Sequence, residues 1–172
     1  MNTLILGAGV SGSAAAALAA SLGRSVSVYD RSSQATIPLR ECGYAVHSGA
    51  WADRLLGGID LVVVSPGFPE HSDPVRQAQA AGIEIISELE FGTRQLAVPY
   101  VAVTGTNGKT TVTTAIAEML NESGVSAVAA GNIGLPICGL GPDPASVVVL
   151  EASSFQLRFI DRFHPVAAGI TN

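Results

Sequence analysis

The only lysine of the chain, Lys109, lies in a glycine-rich segment whose residue types suit a phosphate group. The remaining basic residues are eight arginines, so a lysine is used only at this place. In phosphate-binding loops, backbone N–H groups surround the phosphate oxygens, a lysine reaches the β- and γ-phosphates, and the next hydroxyl ligates Mg²⁺. A compact ammonium fits such a loop better than a planar guanidinium. The segment therefore predicts a nucleotide phosphate site, with Thr110 supplying the hydroxyl.

The loop departs from the strict pattern G-x-x-x-x-G-K-[ST], because Val103 stands five positions before Gly108, where the pattern has glycine. We interpret it as a shorter loop of the same kind. Residues 100–103 predict a buried parallel strand before the loop, and residues 110–121 predict a helix after it. The helix N-terminus adds a partial positive charge at the phosphate position. The alternative is a glycine turn without a ligand, although such turns rarely carry Lys-Thr-Thr at a helix start.

A second glycine turn, residues 7–12 with the pattern G-x-G-x-x-G, follows the first strand and precedes an alanine-rich helix. Asp30 ends the next strand 18 residues after Gly12, as in dinucleotide-binding folds where an acidic side chain meets a ribose. Alone, this pattern indicates NAD or FAD, but a UDP-sugar satisfies it equally well. Close packing of helix on strand without any ligand is the third interpretation. The tripeptide 65–67, Ser-Pro-Gly, follows another apolar strand at the sheet edge where ligands bind in such folds.

Composition limits the classes of protein to consider. The 172 residues are 48% hydrophobic and 13% charged, with a formal net charge of −5, which disfavours a nucleic-acid surface. Cys42 and Cys138 are isolated, so neither a zinc site nor a disulfide framework is indicated, and we expect both to be buried. No signal-peptide pattern or membrane-spanning run is present, which predicts a cytoplasmic protein without a membrane partner. The three histidines, at positions 47, 71 and 164, are expected in exposed loops.

Apolar runs of four to six residues alternate with helical segments along the chain, which predicts an α/β fold with parallel sheets. Each glycine turn opens its own series of strands and helices. We therefore predict a Rossmann-like parallel-sheet domain over residues 1–97 and the first half of a P-loop ATPase α/β domain over residues 98–172. The second series ends after an apparent strand with no helix to cover it, so that domain is expected to be incomplete.

The order of these motifs resembles the Mur ligases of peptidoglycan synthesis. The resemblance covers the whole chain and adds Gly131-Asn132-Ile133-Gly134, the segment 151–157 (Glu-Ala-Ser-Ser-Phe-Gln-Leu) and the final Ile-Thr-Asn to the two glycine loops. The 151–157 segment looks most like that of the D-glutamate-adding members of the family. The resemblance implies a UDP-sugar rather than a nicotinamide cofactor at the first glycine turn.

The resemblance also implies a set of site residues. Catalytic roles fall to Lys109 and Glu151, and the Mg²⁺ ligands would be Thr110 and Glu151. The ATP phosphates would lie on Gly105, Thr106, Asn107, Gly108, Lys109, Thr110 and Thr111. The UDP part of the substrate would contact Gly9, Val10, Ser11, Asp30, Arg31, Ser65, Pro66 and Gly67. The muramoyl-alanine part would contact Asn132, Ser153, Phe155 and Gln156. From the residues alone, Phe155 is expected in the core, and a solvated strand-end glutamate is the alternative for Glu151.

The activity implied is an ATP- and Mg²⁺-dependent amide ligase that adds D-glutamate to UDP-N-acetylmuramoyl-L-alanine through an acyl phosphate. The D-glutamate site would lie beyond Asn172, so we expect this chain to be inactive alone and the parent enzyme to be a monomer. Three alternatives stay open: a sister Mur ligase for another amino acid, a non-catalytic nucleotide-binding module, and a dehydrogenase that holds NAD at the first glycine turn.

Overall fold

The computed structural model describes all residues from Met1 to Asn172, and its first half forms a five-stranded parallel sheet. The strand order is β3-β2-β1-β4-β5. The strands are β1 (Asn2–Leu6), β2 (Ser25–Asp30), β3 (Ala45–Ser48), β4 (Leu61–Val64) and β5 (Glu84–Ser87). The helices between and after them are α1 (Val10–Ser21), α2 (Ile37–Glu41), α3 (Asp73–Ala80) and α4 (Glu88–Thr93).

The second half forms a four-stranded parallel sheet with the order β7-β8-β6-β9. Its elements are β6 (Tyr100–Thr104), α5 (Lys109–Glu122), β7 (Ala127–Gly131), β8 (Val147–Glu151) and β9 (Ala167–Ile170). Three short 3₁₀ turns occupy Asp53–Leu56, Ile137–Gly139 and Gln156–Phe159. The edge strand β9 is exposed along its whole length. None of the helices has both the length and the apolar character that spanning a bilayer requires.

Continuous apolar strands explain why both sheets are parallel and centrally buried. All four residues of β4 are buried, and Leu4, Ile5 and Leu6 of β1 have no exposed surface. Strands covered on both faces lose the alternating pattern of half-exposed strands, as the sequence shows here. Alanines of α1 pack closely over this sheet. The predicted α/β fold with parallel sheets is confirmed.

Two short elements, α2 and β3, are not predicted from the sequence. The edge strand β3 alternates exposed and half-buried residues, so it has no continuous apolar run. Two expectations, the burial of Cys42 and the loop position of His47, are wrong. Cys138 is buried as expected, but Cys42 is exposed because it directly follows the surface helix α2. His47 is exposed but lies on β3 rather than in a loop.

The short helix α4 lies between the two sheets, and all six of its residues are buried. The Glu90 carboxylate in this helix accepts a hydrogen bond from Arg94 Nε at 2.6 Å. It also accepts hydrogen bonds from the backbone N–H groups of Arg162 at 3.0 Å and Asp161 at 3.2 Å. Burial raises the pKa of Glu90, but these hydrogen bonds and the charge of Arg94 outweigh it, so the pKa is lowered overall. One carboxylate thus ties the helix of the first half to the backbone of the second.

Glu90→Gln should destabilise the fold by roughly 2–3 kcal/mol, because it removes one charge of a buried, hydrogen-bonded pair. A lowered folded-state pKa means that this stability is complete above the unfolded pKa of about 4.3 and is lost as the pH falls through the folded value. Urea unfolding at pH 7 and near pH 3 measures both effects. The difference between wild type and variant should therefore shrink at the lower pH.

Asp73→Asn is the matched control, because the Arg76–Asp73 ion pair is exposed on α3. An exposed pair contributes less than about 1 kcal/mol. Equal losses in the two variants would contradict the role assigned to Glu90.

Candidate functional site

The first glycine turn brings α1 into direct contact with the end of β1. A Cβ atom on Gly12 would collide with the carbonyl oxygen of Gly7, so only glycine allows this approach. Gly9 lies immediately before α1, and Val10 is 75% exposed at the start of the helix. The free backbone N–H groups at this helix N-terminus are suited to a diphosphate. Gly9, Val10 and Ser11 all line the hollow in front of it.

Asp30 fixes the shape of this turn. Its Oδ2 accepts the Ala8 N–H at 2.8 Å, and its Oδ1 accepts the Ser32 N–H at 2.8 Å. A carboxylate has four lone-pair positions, so it retains capacity for a ribose hydroxyl. On the other side of the turn, the buried Ser65 hydroxyl donates to the Gly7 carbonyl at 3.5 Å. Arg31 is exposed and lines an adjacent hollow rather than the one in front of α1.

The second glycine loop holds its lysine against its own backbone. Lys109 Nζ donates to the carbonyl oxygens of Gly105 at 2.9 Å and Thr106 at 3.0 Å. Lys109 is the first residue of α5, so its ammonium lies at the positive end of that helix. Thr111, in the first turn of the helix, is exposed and does not line the hollow at this loop. The loop lies between a strand and a helix as the sequence predicted, while its ligand remains a prediction.

The residues after β9 support this loop, which the sequence did not reveal. Asn172 Oδ1 accepts the N–H groups of Thr106 at 3.0 Å and Asn107 at 2.9 Å. The Thr171 hydroxyl donates to the Asn107 carbonyl at 2.5 Å. Because β9 pairs with β6, these distant residues lie beside the loop that follows β6. Only the pairing of strands 66 residues apart creates this contact.

Glu151 ends β8 beside the loop and is 2% exposed, so its interpretation as a solvated glutamate is wrong. Thr110 Oγ1 donates to its Oε2 at 2.6 Å, and Asn132 Nδ2 donates to its Oε1 at 2.8 Å. A hydroxyl and a carboxylate in contact are the hard oxygen ligands that Mg²⁺ uses beside phosphate and water. No group of three or more His, Cys, Asp or Glu side chains is placed to hold a metal. The pair fits an ion that takes its other ligands from a nucleotide.

Three adjoining hollows join the two glycine loops into one central cleft. The first, of about 480 Å³, lies at the first glycine turn, and the last, of about 430 Å³, lies at the Lys109 loop. Asn132 lines all three, and Ser153 and Phe155 line the second and third. Pro66 and Gly67 line the first and second hollows. The two predicted binding regions therefore lie at opposite ends of one row of adjoining hollows.

Phe155 is 59% exposed on the wall of this cleft, so the expectation that it belongs to the core is wrong. The Arg158 guanidinium lies over its ring, 5.5 Å from the centroid, and forms an ion pair with Glu70 of the first half. Gln156 is 1% exposed and lines the first hollow. Its Oε1 accepts the Ser153 N–H at 2.9 Å and the Ser153 hydroxyl at 3.0 Å.

Two family descriptions match the chain and leave few residues uncovered. Residues 1–87 match "Mur ligase MurD-like, N-terminal domain", and residues 103–172 match "Mur ligase middle domain". The chain belongs to the Mur ligase family. A curated relative from Desulfatibacillum aliphaticivorans, named UDP-N-acetylmuramoylalanine–D-glutamate ligase, is 42% identical over 97% of this chain and 39% of its own length. The ligase of the same name from Escherichia coli K12 is 44% identical over 73% of this chain and 29% of its own length.

Solved structures of Mur ligases have the same fold as this chain. A murein peptide ligase from Psychrobacter arcticus gives a TM-score of 0.57 at 23% identity, over 98% of this chain and 42% of that protein. A UDP-N-acetylmuramate–alanine ligase from Thermotoga maritima gives 0.57 at 24% identity, over 100% of this chain and 41% of that protein. The chain thus spans about two fifths of the length of the relatives that it covers almost fully.

Gly105→Ala should distort the Lys109 loop, because the backbone φ of Gly105 is +136° and an added Cβ would meet the Thr171 side chain. We expect a stability loss of about 2 kcal/mol or more, measured by urea unfolding, from combined backbone strain and steric overlap. The control is Gly141→Ala, where nothing lies within 4 Å of the added atom and φ is not positive. A loss no larger than that of the control would contradict this close contact.

Proposed function

We propose that this chain forms the UDP-sugar-binding part and the phosphate-binding part of an ATP-dependent ligase that adds D-glutamate to UDP-N-acetylmuramoyl-L-alanine. One observation carries the proposal: a single cleft runs from the diphosphate-type turn at Gly9 to the phosphate loop at Lys109, with Asn132 along its whole course. A substrate with a nucleotide diphosphate at one end and a carboxylate at the other fits this arrangement. The curated relatives that match at 42% and 44% identity carry the name of that ligase.

In the proposed reaction, an oxygen of the substrate carboxylate attacks the γ-phosphorus of ATP, and ADP leaves. The amine of D-glutamate then attacks the acyl carbon of the acyl phosphate, phosphate leaves with the bonding electron pair, and the amine loses a proton. Lys109 would move its ammonium from the loop carbonyls to the transferring phosphoryl group and stabilise its charge there. Thr110 and Glu151 would hold Mg²⁺, which supplies charge neutralisation at the phosphate oxygens.

The two halves of the chain would have different roles in this reaction. Residues 1–97 would bind the UDP-sugar, with Arg31 and Asp30 near the ribose and uracil, and residues 98–172 would contribute the phosphate loop of the ATP site. The D-glutamate site would lie in the part of the relatives that this chain does not cover. We therefore expect no ligation by these 172 residues alone, and we place the reaction in the cytoplasm, where ATP is supplied.

Lys109→Arg should lower kcat in the complete ligase even though the charge is retained, since the loop must close around a compact ammonium. The loss should be about 2 kcal/mol or more, which corresponds to roughly 30-fold in rate, if the lysine acts in the transition state. ATP-dependent phosphate release with UDP-N-acetylmuramoyl-L-alanine and D-glutamate provides the measurement. Lys109→Ala sets the lower limit of the series, and near wild-type turnover in the arginine variant would refute the assignment.

The first glycine turn should bind UDP more tightly than NAD, by at least about tenfold, or 1.4 kcal/mol. Calorimetric titration of the protein with each ligand measures the difference. Asp30→Asn should weaken UDP binding, because it leaves the Ala8 N–H or the ribose with a poorer acceptor. Tighter binding of NAD would instead support the dehydrogenase interpretation. Absence of binding by either ligand would contradict a nucleotide diphosphate site at this turn.

A further inference from the structure

Glu88, the first residue of α4, is a buried carboxylate that the proposed reaction does not use. It has no exposed surface. Its Oε1 accepts the Cys138 N–H at 2.8 Å, and its backbone carbonyl accepts the Cys138 thiol at 3.3 Å. These contacts hold the 3₁₀ turn Ile137–Gly139 of the second half against α4 of the first half. They use only one of the two carboxylate oxygens.

The second carboxylate oxygen of Glu88 is a hydrogen-bond acceptor, and the amide nitrogen of Gln156 is a donor. Both atoms are buried, and neither has a hydrogen bond within 3.5 Å. The helix α4 that begins with Glu88 packs against the 3₁₀ turn that begins with Gln156. Burial raises the pKa of Glu88 to about 7, and the hydrogen bonds from Cys138 oppose that shift. An acceptor and a donor without other partners lose free energy unless they pair.

The orientation of the Gln156 amide is fixed by its other end. Its Oε1 accepts hydrogen bonds from both the N–H and the hydroxyl of Ser153. A flipped amide would turn its NH₂ group towards the Ser153 N–H, so that one donor would face another. The Nε2 therefore points away from Ser153, and a hydrogen bond to the free oxygen of Glu88 would satisfy both atoms. Ser153 lines the central cleft beside the Lys109 loop, and Gln156 lines the hollow at the first glycine turn.

We propose that Glu88 is a positioning residue for the candidate site: its carboxylate orients the Gln156 amide, and Gln156 in turn sets the position of Ser153 in the cleft. Gln156 acts on the site through Ser153, because its Oε1 accepts both Ser153 donors and its side chain is 1% exposed. The effect of Glu88 on substrate binding rests on the proposed function. The Glu88–Gln156–Ser153 connection itself does not.

Exchanging the side chains of positions 88 and 156 tests the Glu88–Gln156–Ser153 connection. In Glu88→Gln, the new amide must turn a donor towards either the Cys138 N–H or the Gln156 Nε2, so one hydrogen bond is lost. In Gln156→Glu, two buried carboxylates face each other. In the double variant Glu88→Gln/Gln156→Glu, the amide at position 88 accepts from Cys138 and donates to the carboxylate at position 156, which still accepts from Ser153. All hydrogen bonds are restored, so the double variant should recover what each single variant loses.

Two measurements separate this proposal from the proposed function. Hydrogen exchange at the Ser153 N–H needs no activity: it should be roughly tenfold faster in each single variant and return to within about twofold of wild type in the double variant. In the complete ligase, KM for UDP-N-acetylmuramoyl-L-alanine should rise roughly tenfold in each single variant, with kcat changed less than about threefold, and recover in the double variant. Recovery of exchange in a protein without ligase activity would sustain the connection and refute the function.

Glu90→Gln is the matched control, because Glu90 lies two residues further along the same helix and is equally buried, but its carboxylate faces Arg94. It should lower stability without changing Ser153 exchange or KM. Unchanged Ser153 exchange in Glu88→Gln, or a double variant as impaired as the single variants, would overturn the proposal. If Glu88→Gln does not fold, the comparison of Gln156→Glu with the double variant carries the same expectation of recovery.

Discussion

The contact between the two halves of the chain includes two buried carboxylates at the start of α4. Glu88 and Glu90 are both without exposed surface, and each accepts backbone N–H groups from the second half of the chain. Buried carboxylates are costly unless they are hydrogen-bonded, so the energy of the fold favours an arrangement that satisfies both. This arrangement brings the carboxyl ends of two separate parallel sheets to one cleft.

Strand pairing within the second sheet places the residues that surround the Lys109 loop. Because β6 lies between β8 and β9, the loop that follows β6 is flanked by Glu151 on one side and by Thr171 and Asn172 on the other. Glu151 meets the Thr110 hydroxyl, and Asn172 holds two loop N–H groups. The loop is therefore shaped before any nucleotide arrives, which reduces the cost of ordering it on binding.

The proposed nucleotide ligands would be attracted by local groups rather than by overall charge. The net charge is −5, so the general field opposes a nucleotide. What favours phosphate is the pair of helix N-termini at Gly9 and Gly108, and the one lysine. Such short-range attraction acts only inside the cleft. It is consistent with a site that selects its ligands by geometry rather than by steering them from a distance.

The sequence by itself determined the fold class and the positions of both glycine loops, because these depend on local patterns: continuous apolar runs and glycine spacing. It also carries the Ser87-x-x-Glu90 pattern of a helix start, in which the Ser87 hydroxyl accepts the Glu90 N–H at 3.2 Å. Only the tertiary structure decided that Phe155 lines the cleft, that Glu151 is buried, and that Asn172 supports the phosphate loop. The Glu88–Gln156 connection belongs with them. Each of these joins residues or surfaces whose proximity is set by strand order and by packing between sheets, and neither leaves a periodic trace in the sequence.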